Sequence, residues 1–173
     1  VNQLLLVAEA RSAKPEPGLE RVALSEVVSK SLEMFDAAAE VSDIQLNSRI
    51  EPELVIEGNR LHITQIVNNL IDNAIKYTQA GGRVWVELQS TEDHDVELRV
   101  RDSGIGIPPE KLPRIFERFY RAHDPQISDT PRRGSGLGLS IVKSLVDRYN
   151  GHIEATSDPG KGTSFVVRWK LDL

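Results

Sequence analysis

Between Asn59 and Tyr77 the apolar residues return every three or four positions. Ile63, Ile66, Val67, Leu70 and Ala74 therefore line one face of a helix, and that face must lie on a core. A polar stripe runs beside it. Asn69, Asn73 and Lys76 stand at i, i+4 and i+7, which at about 100° per residue places them together. An amide carbonyl is a hard, neutral ligand of the kind Mg²⁺ accepts when phosphates supply the negative charge. A lysine is a point charge for phosphate oxygens. A solvated face is the ordinary reading of such a stripe, so it needs support from elsewhere in the chain.

The rest of the pattern alternates between two periods. Residues 24–40 read as an amphipathic helix with Leu24, Val27, Val28, Leu32, Phe35 and Ala39 on one side, and Ser25 helping to cap its start. Segments 44–50 and 54–56 read as a strand pair. After the Gly81-Gly82 turn, 83–89 and 95–101 alternate through Val84, Val86, Leu88 and Val96, Leu98, Val100. Strands 151–156 and 163–170 close the chain, joined through Pro159-Gly160-Lys161-Gly162. Between the middle and last pairs lies a long connection, 107–135. It holds five prolines and one short amphipathic piece near 110–120, and Gly134 to Gly138 then opens a helix to about Tyr149 that Gly151 stops. Strand pairs separated by helices predict an α/β (α+β) two-layer sandwich, with a mixed sheet and helices on one face.

Composition narrows the function classes. The 173 residues are 39% apolar and 27% charged, as in one ordinary globular domain. No apolar run approaches the ~20 residues of a membrane span. With no cysteine, disulfides and thiol catalysis are excluded. A net charge of −5 argues against a general nucleic-acid binder. Residues 1–13 read as the last turns of a helix, with Val1, Leu4, Leu5 and Ala8 as its stripe, and Lys14 to Gly18 as a linker. Because Val1 is no natural start, the chain is expected to be a piece of a longer one.

Two glycine turns add to the polar stripe. Asp102-Ser103-Gly104-Ile105-Gly106 stands at a strand end. Its glycines let the backbone approach a flat ligand, and an ionised Asp accepts a hydrogen bond from an exocyclic amine. A plain Asp-Gly turn fits the same residues. Gly134-Ser135-Gly136-Leu137-Gly138-Leu139 opens a helix, where free N–H groups and the positive dipole end favour phosphate. Arg132 and Arg133 supply local positive charge just upstream. The GxGxG spacing is not a dinucleotide fingerprint. Nor is the 160–163 stretch a P-loop, since Ala155 replaces the first glycine and a strand follows.

In this order the motifs resemble the catalytic ATP-binding domain of two-component sensor histidine kinases. That domain belongs to the GHKL superfamily, with the Hsp90 chaperones, DNA gyrase B and MutL. Asn69 to Tyr77 resembles the N box, Asp102 to Gly106 the G1 box, Phe116 to Arg121 the F box, and Gly134 to Leu139 the G2 box. Gly160 to Thr163 resembles the last box, and the likeness covers about residues 20–172. The resemblance implies the Bergerat ATP-binding fold over 19–173, an ATP lid at 107–138, and a remnant of the second dimerisation helix and linker at 1–18. It implies ATP and Mg²⁺ as cofactors, with Asn73 as metal ligand. Asn69, Asn73, Lys76 and Arg121 take the catalytic roles, Arg121 at the terminal phosphate. Nucleotide contacts then fall to Asn69, Asn73, Lys76, Tyr77, Asp102, Gly104, Gly106, Ile107, Tyr120, Arg133, Gly134, Ser135, Gly136, Leu137, Gly138, Leu139 and Thr163. Phe116 and Phe119 are implied to anchor the lid on the body.

Three function classes follow: a kinase of histidine, a GHKL-type ATPase, and a non-catalytic nucleotide sensor. The ATPases carry a water-activating Glu where this chain has Asn69, which favours the kinase. His62, His94, His123 and His152 lack the acceptor's His-Glu/Asp-Leu-Arg context and read as surface histidines. The acceptor is therefore expected on the parent's dimerisation and histidine-phosphotransfer domain, with a response regulator downstream. The parent is expected to be a homodimer anchored in the inner membrane, with this part cytoplasmic and, alone, monomeric.

Overall fold

The computed structural model describes residues 18–122 and 138–173, and the fold below is theirs. The helix end expected over 1–13, the linker at 14–17 and the 134–137 turn lie outside them. The described elements are β1 (Glu20–Ala23), α1 (Leu24–Val41), β2 (Gln45–Ile50), β3 (Val55–Gly58), α2 (Arg60–Lys76), β4 (Arg83–Ser90) and β5 (Asp95–Asp102). They continue with α3 (Gly138–Arg148), β6 (His152–Asp158) and β7 (Gly162–Lys170).

Five strands form the main sheet in the order β2-β4-β5-β7-β6. Only β2 and β4 run parallel. Alternation sorts the side chains into two faces. One row crosses the sheet as Leu88, Leu98, Val167 and Ile153, and the next as Val86, Val100, Phe165 and Ala155. These rows join the buried faces of the helices: Ile66, Leu70 and Ala74 of α2, Ile141 and Leu145 of α3, Leu24 and Val28 of α1. The opposite face is polar. There the Glu97 carboxylate accepts from Arg99 and Arg168, both at 2.9 Å. The sheet thus has helices on one face, the two-layer sandwich its pattern predicts.

The first strand pair is not a hairpin. Pro52 and Glu53, the latter at φ 62°, turn the chain out of the sheet after β2. The Glu51 carboxylate extends the β2 edge by accepting from the Ser90 N–H and hydroxyl, at 2.8 and 2.7 Å. β3 then pairs with β1 in a separate two-stranded sheet. β1 escapes the sequence pattern because it is four residues long and buries only Val22.

Ser25 does not cap α1. The N-cap position is Ala23, with no side-chain cap. Ser25 Oγ instead donates to the Glu51 carbonyl at 2.7 Å and accepts from the Leu54 N–H at 3.0 Å. It satisfies the chain reversal between β2 and β3, which is the nearer set of orphan groups. The expected amphipathic piece at 110–120 shrinks to a 3-10 turn over Leu112–Arg114, where Pro113 has no N–H to extend a helix. α1 and α3 stop in the same way. Asp43 (φ 55°) and Asn150 (φ 54°) turn left-handed, and the next N–H returns to Ala39 and Val146 respectively, at 2.9 Å each. Gly151 serves packing: a Cβ there would lie 2.8 Å from the Trp169 ring.

Replacing Ser25 with Ala removes both bonds and strands two polar groups. The expected cost is about 1–3 kcal/mol, read by urea denaturation. A loss below about 0.5 kcal/mol, the size of an ordinary surface change, would show that the bridge adds nothing.

Candidate functional site

The Asn59 side chain caps α2 by accepting from the His62 N–H at 3.2 Å. From there the polar stripe faces α3. Gln65 Nε2 donates to Asn69 Oδ1 at 2.8 Å, and Asn69 Nδ2 donates to the Gly138 carbonyl at 3.3 Å. Asn69 is therefore a tie between α2 and the first residue of α3. Asn73, one turn on, is half-buried, and its side chain has no hydrogen-bond partner among the described residues. Lys76 Nζ stands 5.5 Å from the centroid of the Tyr77 ring. Burial raises the Tyr77 hydroxyl above its ordinary pKa; Arg121 opposes that shift and Asp72 adds to it. Arg121 is thus electrostatically within reach of the stripe's end. Tyr120 is half-buried, with the Arg114 guanidinium 4.3 Å from its ring centroid.

The glycine turn at the end of β5 sits against this helix end. Ile105 N–H donates to the Tyr77 carbonyl at 3.2 Å. A Cβ on Gly104 would lie 2.1 Å from that same carbonyl oxygen, so no other residue fits there. Gly106 has φ +70°, and its Cβ would meet the Asp158 carbonyl oxygen at 2.1 Å. Asp102 is buried. Its Oδ1 accepts from Gly104 N–H at 2.8 Å and Thr163 N–H at 3.2 Å. Its Oδ2 has no partner among the described residues. Burial pushes the carboxyl up to about 6, against the lowering effect of the Gly104 and Thr163 N–H groups. The turn ends at Ile107, buried, whose N–H donates to Ser157 Oγ at 2.7 Å.

Stripe and turn therefore meet in one place, as their spacing in the sequence did not reveal. Of the remaining expected site residues, Gly138 and Leu139 open α3, with Leu139 against the core. Among the described residues, nothing lies within 4 Å of a Cβ at Gly138. Arg133, Gly134, Ser135, Gly136 and Leu137 lie outside the described residues. Phe116 packs edge-on to Phe165, with centroids 6.3 Å apart, whereas Phe119 is 64% exposed at φ 62° and has no ring contact among the described residues. His62 is no surface residue: it is buried, with Nδ1 2.5 Å from the Tyr149 hydroxyl. Gln65, Ser157 and Gly162 escaped the sequence reading as site residues. Only the contact of Gly162, whose Cβ would lie 1.9 Å from the Asp102 carbonyl oxygen, follows from a glycine that a motif had marked.

The family described as histidine kinase-, DNA gyrase B- and HSP90-like ATPase matches residues 58–173. The chain belongs to this ATPase family. Within it, the likeness is to sensor histidine kinases. The chain is 37% identical over 167 residues to sensor histidine kinase CusS of Escherichia coli O6:H1, covering 96% of this chain and 34% of that protein. It spans about a third of the length of such relatives. A solved structure of mycobacterial sensor histidine kinase MprB overlays with a TM-score of 0.77 at 32% identity, over 89% of this chain and 98% of that one. Full-length ShkA in complex with AMPPNP overlays at 0.81 and 25% identity, over 98% of this chain and 35% of that one. This is the ATP-binding catalytic domain type of histidine kinases.

For an ATPase-family domain the donor set fits a phosphate-bound cation. Asn73 offers an amide oxygen with no partner among the described residues, one turn from Lys76 on the stripe. Among the described residues no group of three His, Asp or Glu side chains is placed to hold a metal by itself.

Asp102 makes the domain's stability depend on pH. A carboxyl raised to about 6 from an unfolded value of 3.8 destabilises the fold when ionised. The penalty is absent below pH 4, grows through pH 4–6 and is complete above it. Two units correspond to about 3 kcal/mol. Asp102→Asn keeps an oxygen for Gly104 and Thr163 and removes the charge. At pH 8 the nucleotide-free variant should be more stable by about 1–3 kcal/mol in denaturant titrations, with the gain vanishing near pH 4. A variant less stable at pH 8 would show that the carboxylate is fully compensated.

Proposed function

We propose that residues 19–173 bind Mg²⁺–ATP between α2, the 102–107 turn and the start of α3, and deliver its γ-phosphoryl group to a histidine elsewhere in the parent protein. The observation that carries this reading is the buried Asp102 carboxylate, with one oxygen held and one left over, beside a backbone that two glycines keep open. Asp102 would accept the adenine amine, with Gly104, Gly106, Ile107 and Thr163 around the base and Tyr77 packed on it. Asn73 would hold Mg²⁺, with Asn69 and Lys76 toward the phosphates. Tyr120, Arg133 and the 134–139 stretch would line the phosphate end, and Arg121 would reach the terminal phosphate. Residues 107–138 are then the segment that covers the nucleotide. The bound ion supplies charge neutralisation on the phosphates.

The transfer breaks the bond between the γ-phosphorus and its bridging oxygen and forms a phosphorus–nitrogen bond to the acceptor imidazole, which loses a proton. ADP leaves. The chain's part is mostly positioning. His152 is exposed and pairs with Glu154 at 3.1 Å, His62 is buried, and His94 sits in a turn at φ 58°. None is placed for acceptance. The acceptor would lie on the parent's dimerisation and phosphotransfer domain, of which residues 1–18 would be the last part, with a response regulator beyond. The parent would be a membrane-anchored homodimer and this part a cytoplasmic monomer; no described helix is long and apolar enough to cross a membrane. An ATPase is the less favoured reading because an amide at Asn69 cannot serve as a base for water, and a non-catalytic sensor because Asn73, Asp102, Gly136 and Gly138 are all present.

Two measurements test the proposal. Asn73→Ala should cost at least about tenfold in affinity for an ATP analogue with Mg²⁺ and little in EDTA, by calorimetric titration. Wild-type-like Mg²⁺ dependence would remove Asn73 from the metal. With radiolabelled ATP, the chain alone should acquire no acid-labile phosphate, while the parent's dimerisation domain added in trans should be labelled. Stable label on His62, His94, His123 or His152 would place the acceptor inside the chain.

A further inference from the structure

Ser157 stands on β6 opposite Thr163 of β7. Its hydroxyl meets three groups. The Ile107 N–H donates to it at 2.7 Å, the Gly162 carbonyl lies at 2.9 Å, and Thr163 Oγ1 lies at 2.8 Å. A serine hydroxyl has one proton and two lone pairs. A carbonyl can only accept, so the proton of Ser157 goes to Gly162. The amide of Ile107 can only donate, which fills one lone pair. The contact with Thr163 must then run from the Thr163 hydroxyl to the second lone pair. With the Ser157 proton on the Gly162 carbonyl, every contact of the cluster is satisfied. Thr163 has therefore given its proton away, and its oxygen can only accept from anything else. It is also the neighbour of Asp102, since its own N–H is on Oδ1.

We propose that Ser157 is a specificity-determining residue: by fixing the proton of Thr163 it makes the base end of the site acceptor-only, selecting purines that carry an amine at position 6 over those that carry a carbonyl. This rests on the reading of the Asp102 end as the site of the base. Two acceptors, Asp102 Oδ2 and Thr163 Oγ1, favour the two N–H groups of a 6-amine. They repel a 6-carbonyl, which brings no proton. Freed from Ser157, the Thr163 hydroxyl can turn its proton outward and accommodate the carbonyl. Ser157 touches no reacting atom and acts through Thr163.

The test compares ATP with inosine triphosphate, its 6-oxo counterpart, by calorimetric titration at pH 8. The wild-type chain should prefer ATP strongly. In Ser157→Ala the preference should fall by about tenfold, chiefly through tighter binding of inosine triphosphate. A loss of mere structure, such as the missing partner of Ile107, lowers both affinities together and leaves the ratio unchanged. Ser157→Thr keeps the hydroxyl and should keep the ratio. If Ser157→Ala does not fold, Ser157→Cys, close in size but a poor acceptor, should show the same fall. An unchanged ratio in a folded Ala or Cys variant overturns the role of Ser157 alone. Equal binding of the two nucleotides by wild type overturns the reading of the base site, and this inference with it.

Discussion

A carboxylate taken out of water must find N–H groups or stay protonated, and Asp102 meets that condition with backbone alone. Both of its donors come from places where the chain passes too close for a side chain. Gly104 turns back under the end of α2, and Gly162 crosses 1.9 Å, measured from an ideal Cβ, from the Asp102 carbonyl oxygen. The turn after β5, the β6–β7 hairpin and the end of α2 are therefore locked to one another through a single oxygen, Oδ1, and the Tyr77 carbonyl. Any larger residue at 104 or 162 separates these parts before it touches a ligand.

The sheet exists, from the site's point of view, to deliver that oxygen. Asp102 follows Val96, Leu98 and Val100 on the inward side of β5, so alternation alone carries it to the layer under the helices. The same layer receives Thr163 from β7. α2 lies across this end because its apolar face is spent on the sheet, and its next face, the stripe of Asn69 and Asn73, is left toward α3. The site is thus the point where two periods, two residues and 3.6 residues, come into phase.

This explains what the sequence could tell and what it could not. Period two placed β4, β5, β6 and β7 within a residue or two, and period 3.6 placed α1 and α2. Glycines announced the turns, because a missing side chain is visible in a sequence. Pairing was not visible. Nothing in Leu54-Val55-Ile56 says that its partner is Glu20 to Ala23 rather than the strand before it. Ser25 has the composition of a cap but bonds across the chain, to residues 26 and 29 positions away. Ser157 falls in the inward phase of β6 after Ile153 and Ala155, but nothing in the strand's pattern says that the fold will bring the Ile107 N–H to it. Phe119 matches a motif and still points to solvent, because its left-handed backbone turns it away from the face that Phe116 uses.

Asn69 shows how tightly shape and chemistry are tied at such a position. Its amide works in two directions, accepting from Gln65 and donating to the Gly138 carbonyl. A carboxylate could keep the first bond but would set an oxygen against the second, two acceptors facing each other. In this geometry the residue that closes α2 onto α3 cannot also be a base for water. A hydrolase of the same family would have to give up that tie, or make it with another residue. The chain that keeps it holds the start of α3 against the polar stripe of α2 and has no general base at position 69. On the proposed reading, the amide that ties α2 to α3 thereby leaves the phosphoryl group for an acceptor outside this chain.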